Sequence, residues 1–71
     1  MNKNTIAKNT TFSNETSILV SDHDDGITLY DKVAKIIFKG SKIYIHRNYY
    51  GFDSVIKFNK DDIEKISIYK A

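Results

Sequence analysis

Apolar residues are concentrated in residues 35–39 and 42–46, two runs that are bounded by polar residues and separated only by residues 40–41, Gly-Ser. Such short apolar-rich runs are typical of strands, and glycine at the first position of a two-residue loop favours a type II′ hairpin turn. Pairing across this turn brings four large apolar side chains to one face: Phe38 opposite Ile43, and Ile36 opposite Ile45. A shift of one residue would turn them to the other face, so the register is specified.

Shorter runs of strand-like composition occur elsewhere in the chain. Four of them are rich in β-branched and aromatic residues: residues 16–21, 27–30, 54–58 and 66–69. A C-terminal helix over residues 60–69 is the alternative for the last run, but Ile68 does not fit the apolar face of such a helix. The sequence therefore predicts an all-β fold, a small antiparallel meander, bent sheet or open barrel, with at most one short helical turn near residues 60–65.

The chain has room for a single domain. Residues 1–15 are polar and without a clear period, which predicts a flexible N-terminal arm, and residues 16–71 are predicted to form one small β-domain. Cysteine is absent, so neither disulfides nor thiolate metal sites can reinforce the eleven isoleucines, five tyrosines and four phenylalanines of the core. Thin core resources and open sheet edges make a homodimer a reasonable expectation.

The sequence gives no support to several classes of function. No phosphate-binding loop, nucleophile elbow or cysteine nucleophile is present, so we assign no catalytic residue and no cofactor. No run is long enough to span a membrane, and the first residues lack the apolar core of a secretory signal, so we expect a cytoplasmic protein. Abundant lysine, isoleucine and asparagine are typical of an AT-rich genome, such as that of a low-GC bacterium or its phage.

Residues 22–26, Asp-His-Asp-Asp-Gly, are the most metal-like segment. A calcium loop of the EF-hand type needs a bidentate glutamate at its twelfth position, which here is Val33. Aspartate and glycine also favour tight turns for backbone reasons. We therefore interpret this segment as a solvated turn and predict no metal site.

The positive charge of the chain is concentrated in residues 32–52, which contain four lysines, one arginine and no acid. Cations neutralise phosphates, and aromatic rings on a sheet face can stack on bases. One hypothesis is therefore that the chain binds single-stranded nucleic acid through Lys35, Lys39, Lys42, Tyr44, His46 and Arg47. The alternative interpretation of these lysines is a solvated strand face that protects against aggregation.

Residues 47–53 are predicted to be a loop whose composition suits protein recognition. Tyrosine and arginine are favoured anchors at interfaces, and the first hypothesis for function is a small non-catalytic module that binds a larger protein. Its candidate contact residues are Arg47, Tyr49, Tyr50, Phe52 and, on the outward hairpin face, Tyr44. Size and composition suggest a phage or mobile-element accessory that inhibits a host defence or nucleic-acid enzyme. A homo-oligomer that binds an anionic small ligand is a third hypothesis.

Overall fold

The computed structural model describes residues 5–69, which form one open antiparallel sheet with the strand order β4-β3-β2-β1-β5. The strands are β1 (Thr10–Asp22), β2 (Ile27–Lys39), β3 (Lys42–Tyr49), β4 (Phe52–Asn59) and β5 (Ile63–Ile68). A 3₁₀ turn, Lys60–Asp62, joins β4 to β5. The prediction of an all-β fold with one short helical turn is confirmed. Residues 5–69 contain no helix with the length and apolarity needed to cross a membrane.

The β2–β3 hairpin has the register that the sequence predicts. Ile36 pairs with Ile45, and Phe38 pairs with Ile43. The three isoleucines are buried and the phenylalanine is half-buried against them. Gly40 has a φ of 61°, as the first position of a type II′ turn requires. The positions of these four apolar residues and of Gly40 therefore predict this hairpin without reference to any long-range contact.

Strand β2 is bent and is shared by the two halves of the sheet. Its first residues pair with β1 alone, and only its second half also pairs with β3. The register shifts between Val33 and Lys35 on the β3 side, and Lys32 has a φ of 56°. Such bulges bend a strand and increase its twist. The bend curls the sheet, so that three residues suffice to connect its outermost strands, β4 and β5.

The concave face of the curled sheet forms the core. Eight residues are buried there: Ile6, Ile18, Val20, Val33, Ile36, Ile43, Ile45 and Ile66. Partly buried aromatic side chains close the ends of this cluster, and the Tyr30 and Phe58 rings meet edge to face at 6.0 Å between centroids. A core dominated by β-branched side chains follows from the strand composition of the chain.

The sheet begins earlier in the chain than the sequence indicates. Strand β1 starts at Thr10, which lies within the predicted arm of residues 1–15. Ile6 is buried, and its backbone N–H donates to the Ile66 carbonyl at 2.8 Å. A single apolar residue in a polar segment creates no period, so the pattern contained no sign of this contact. Residues 1–4 lie outside the described part of the chain.

Residues 47–53 form a hairpin rather than the predicted loop. Strand β3 continues to Tyr49, which pairs with Phe52 at the start of β4. Tyr50 has a φ of 51° and Gly51 a φ of 90°, the two positive values of a type I′ turn. Tyrosine is not among the residues that usually occupy the first of these positions, and for that reason the sequence did not signal the turn.

Candidate functional site

Six polar and aromatic side chains converge at the end of the sheet that carries the Tyr50–Gly51 turn. They come from the bulged part of β2, the end of β3, the turn and the start of β4. We call them the tip cluster: Asp31, Lys32, Arg47, Tyr49, Tyr50 and Phe52. Register explains the convergence, because Val33 of β2 pairs with Arg47 and so brings the preceding β2 residues beside the end of β3.

Arg47 is the organising residue of the tip cluster. Its Nη2 lies 2.8 Å from Asp31 Oδ1, and its Nε donates to the Asp31 backbone carbonyl at 3.0 Å. The guanidinium carbon lies 4.3 Å from the Tyr49 ring centroid and 5.5 Å from the Tyr30 ring centroid. Only 15% of the Arg47 side chain is exposed. A planar cation with several donors suits this combination of stacking and hydrogen bonding, and Arg47 is thereby committed to its own chain.

Tyr49 completes a hydrogen-bonded triad with Arg47 and Asp31. Its hydroxyl donates to Asp31 Oδ1 and accepts from Arg47 Nη2. The bond from Tyr49, followed by the contact with Arg47, holds the pKa of the Asp31 carboxyl below its ordinary value of 3.8. The same bond to Asp31 raises the pKa of Tyr49 above 10.0. At neutral pH the carboxylate is therefore charged and the phenol neutral, the two forms that this network requires.

Tyr50 and Phe52 project from the triad into solvent. Tyr50 is 84% exposed and Phe52 is 77% exposed. The Lys32 ammonium lies 4.9 Å from the Tyr50 ring centroid, and both residues have a positive φ. A left-handed conformation at a non-glycine residue costs about 1–3 kcal/mol. The tip cluster thus contains two strained residues in contact, and one of them buries almost none of its side chain.

A second surface lies on the convex side of the β2–β3–β4 sheet. Tyr44 pairs with Ile37 on β2 and with Lys57 on β4. Neighbouring positions of the same parity carry further cations, since side chains alternate between the faces of a strand. We call this surface the outer face: Lys35, Lys39, Lys42, Tyr44, His46 and Lys57.

The structure separates residues that the sequence analysis grouped together. Arg47 was assigned to both candidate sites, but it pairs with buried Val33 and lies on the opposite side of the sheet from the lysines of the outer face. Tyr44 lies on the outer face, which is the outward hairpin face predicted for it, and it is therefore on the other side of the sheet from Tyr49. The remaining members of each set do come together. Two surfaces that overlap in sequence are therefore distinct in space.

Several members of these two surfaces were not identified from the sequence. The sequence pattern gives Asp31 and Lys32 no role in either site, and only the β2–β3 register brings them to Arg47. Lys57 could have been found, because Ser54 to Phe58 alternate and Lys57 must face away from the core. A separate apolar patch on the outside of β1 and β2 was also missed. It contains Ile27, Leu29 and Leu19, of which the first two are 66% and 51% exposed.

The acidic segment is the turn between β1 and β2. Asp22 Oδ1 accepts hydrogen bonds from the backbone N–H groups of Asp24 at 2.9 Å and Gly26 at 2.8 Å. The His23 Nε2 lies 3.1 Å from the Asp61 carbonyl oxygen and links this turn to the 3₁₀ turn. Among residues 5–69 there is no group of three or more side chains placed to hold a metal ion. The Asp22 carboxylate therefore serves the backbone of its own turn.

One cleft is relevant to the small-ligand hypothesis. It has a volume of about 180 Å³ and lies at the end of the sheet opposite the tip cluster, against Ile6, Phe38, Ile43 and Ile66. Pockets for drug-sized ligands usually measure about 300–1,000 Å³. The cleft is therefore small for such a ligand, and its largely apolar wall also contains Lys60 and Lys65, the cations that an anionic ligand could contact.

The fold defines a small, single-sheet β-domain that presents two candidate recognition surfaces. Comparison of the chain with known protein families, with curated proteins and with solved structures gave no match. Function is therefore inferred from the geometry and chemistry of the tip cluster and the outer face.

Proposed function

We propose that the chain is a non-catalytic, cytoplasmic protein-binding domain that contacts a larger partner through its tip cluster. One observation carries the proposal: Tyr50 is 84% exposed and is held at a φ of 51°. Glycine or asparagine would form the same turn with little strain. A tyrosine that costs conformational energy and buries little of its own surface is best explained by a contact outside the chain.

The neighbours of Tyr50 support this role. Phe52 is 77% exposed and adds a second aromatic anchor two residues further along the chain. Tyr49 is already fixed by Asp31 and Arg47, so little of its conformational freedom remains to be lost on binding. Tyrosine and arginine are the residues most often responsible for affinity at protein interfaces. Arg47 then acts by positioning Tyr49, whereas Tyr50 and Phe52 make the contact.

The proposed partner class is a host defence or nucleic-acid enzyme, which the chain inhibits as a phage or mobile-element accessory. The residue usage typical of an AT-rich genome and the small size of the chain support this part of the proposal. Inhibition would follow from occlusion, since the proposal assigns no reaction to the chain. An enzyme recovered with the protein should therefore lose activity in proportion to the fraction bound.

The test is capture of partners from a low-GC bacterial lysate, followed by titration of the purified partner. Tyr50→Asn and Phe52→Ser should each weaken binding about tenfold or more if these residues are anchors. Tyr69→Asn is the matched control, because Tyr69 is an exposed aromatic residue at the other edge of the sheet. Equal binding by the wild type and both tip variants would refute the assignment of the site.

Binding of single-stranded nucleic acid by the outer face is the second candidate. The supporting observation is the register, which surrounds Tyr44 with cations from three adjacent strands. Lys57, directly opposite Tyr44, strengthens this candidate beyond what the sequence offered. A half-buried tyrosine among lysines matches the combination of stacking and charge that such binding uses.

Fluorescence anisotropy of labelled oligonucleotides distinguishes the two candidates. Binding through the outer face should fall steeply from low to physiological salt and should be lost in a Lys39→Ala/Lys57→Ala variant. A Lys60→Ala/Lys65→Ala variant has the same net charge and serves as the control. Absence of binding at low salt would leave the outer face as a solvated surface, and docking through Tyr50 should depend far less on salt.

A further inference from the structure

We propose that the free edge of β4 pairs antiparallel with the same edge of a second copy of this chain, with Val55 at the two-fold axis. The dimer goes beyond the proposed partner binding, because it rests on the free backbone edge of β4 and not on the Tyr50–Gly51 turn. Tyr50 lies past the end of the paired segment and stays accessible in the dimer, whereas Phe52 of the tip cluster lies at the end of the paired segment.

Strand β4 offers an unusually regular edge. It pairs with β3 over all eight residues, Phe52–Asn59, without a bulge or register shift. Among residues 5–69 nothing pairs with its other side, whereas the outer side of β5 carries a bridge between Thr5 and Ser67. Natural sheets usually protect such edges with bulges, proline, charged side chains or covering segments. Strand β4 has no bulge and no proline, and its two charged residues, Asp53 and Lys57, have opposite signs, so its edge can still act as a template for another strand.

The backbone groups of β4 point the right way for this pairing. A two-residue turn makes Tyr49 and Phe52 a hydrogen-bonded pair, and pairs alternate along an antiparallel ladder. The N–H and C=O groups of Asp53, Val55 and Lys57 therefore point to the free edge. A second β4 placed about Val55 matches these three residues with the same three residues in reverse order, so that each outward N–H finds a C=O.

The side chains of that register are self-complementary. Asp53 lies opposite Lys57 of the second copy, and the symmetry repeats this ion pair. Val55 lies opposite its own equivalent, and on the other face Phe52 lies opposite Phe58. Opposite charges across strands stabilise a pair of strands, whereas like charges destabilise it. A register shifted by two residues would place Lys57 opposite Val55 and would lose both ion pairs.

The exposed apolar surface of β4 also favours dimerisation through this edge. Val55 is 52% exposed and Phe52 is 77% exposed, and both would be covered by the second copy. Burial of apolar surface is the main driving force for association. Small domains with limited cores commonly gain stability in this way. The dimer would also bring the outer faces of two copies side by side along one continuous sheet.

Sedimentation equilibrium over a range of concentrations tests the proposal. The wild type should form dimers, and Asp53→Lys or Lys57→Asp should each weaken dimerisation about tenfold, because each creates two like-charge contacts. The double variant Asp53→Lys/Lys57→Asp restores opposite charges and should recover the dimer. Asp24→Lys and Lys65→Asp make the same changes in net charge at exposed sites away from β4 and should leave dimerisation unchanged.

Cysteine crosslinking tests the register independently. The chain has no cysteine, so Val55→Cys introduces a single thiol at the proposed two-fold axis. Hydrogen-bonded pairs have Cα atoms about 5.5 Å apart, within the range of a disulfide. Val55→Cys should form a disulfide-linked dimer under mild oxidation, and Ser41→Cys at the distant turn should not.

Three outcomes would overturn the proposal. The first is a wild-type chain that remains monomeric at every concentration. The second is a dimer that both single charge variants leave intact. The third is a failure of the double charge variant to recover dimers although circular dichroism reports a folded sheet. All of these variants retain Tyr50, so loss of the dimer can be distinguished from loss of partner binding.

Discussion

The two turns at the ends of β3 both reverse the chain within two residues, but they place different residues at the first position. The β2–β3 turn uses Gly40 at a φ of 61°, where glycine costs nothing, and no atom lies within 4 Å of the position that a Cβ would occupy. The β3–β4 turn uses Tyr50 at a φ of 51°. The β2–β3 turn has glycine at its positive-φ position and is therefore unstrained. The β3–β4 turn has tyrosine there, which is strained and exposes its aromatic ring.

The two turns also differ in how deeply the residues next to them are buried. Residues next to Gly40 continue into the core, where Ile36 and Ile45 are fully buried. Residues next to Tyr50 continue into the Asp31–Arg47 network and the exposed Phe52. The β2–β3 hairpin thus contributes four of the eight buried core residues, whereas the two residues of the β3–β4 turn are exposed and one of them is in a strained conformation. A domain can tolerate about 1–3 kcal/mol of strain at one turn if its core is well formed.

The largest effect is expected in the core beneath the first hairpin. Ile36→Ala should lower the free energy of unfolding by about 2–5 kcal/mol, because it removes buried methyl groups and leaves a cavity. Lys39→Ala, on the opposite face of the same strand, should change it by less than about 0.5 kcal/mol. Urea denaturation measures both. Similar midpoints for the two variants would contradict the register of this hairpin.

Gly40→Ala should have the next largest effect. Alanine must adopt the left-handed conformation at this position, which costs about 1–2 kcal/mol. No steric contact contributes, because the space around Gly40 is open. Thermal unfolding should therefore report a lower Tm for this variant. An unchanged Tm would mean that the β2–β3 turn does not need glycine and that the contrast between the turns is unfounded.

Tyr50→Asn should raise the free energy of unfolding, whereas Gly40→Ala lowers it. Asparagine tolerates the left-handed region, so the variant should be stabilised by about 1 kcal/mol. Loss of the Lys32 contact offsets only about 0.5 kcal/mol of the gain. The same variant should lose partner binding, and chemical denaturation together with a binding assay would detect this exchange of stability for affinity. A Tyr50→Asn variant that is less stable than the wild type would remove the argument from strain.

The smallest expected effect is on the pH dependence of stability, through the hydrogen-bonded triad of Asp31, Arg47 and Tyr49. Because the folded state lowers the pKa of Asp31 below 3.8, its contribution is complete above that value and is lost as the pH falls through the lowered folded pKa. The difference in Tm between the wild type and Asp31→Asn should therefore shrink as the pH falls below 3.8. Tyr49 contributes fully below pH 10.0 and loses its contribution at higher pH, since its folded pKa is raised. A pH-independent difference would argue against the triad.

The candidate site could be predicted only in part. Tyr49, Tyr50 and Phe52 were identified because aromatic residues around a glycine form a compositional signal within a few positions. Asp31 and Lys32, which contact Tyr49 and Tyr50, are each eighteen residues away from them in the chain and belong to a different strand. Composition holds no information about such a contact, because it depends on two bulges in β2 that set which residues lie opposite Arg47.

The sequence by itself determined the elements that local physics controls. The positions of four apolar residues fixed the β2–β3 register, glycine fixed its turn, and β-branched residues fixed the all-β class. Tertiary structure decided what depends on distant contacts: the burial of Ile6 beside β5, the tight turn at Tyr50, and the separation of Arg47 from the lysines of the outer face. The reason is that a bend in one strand redirects every later side chain, and only packing of the whole sheet determines where the bend occurs.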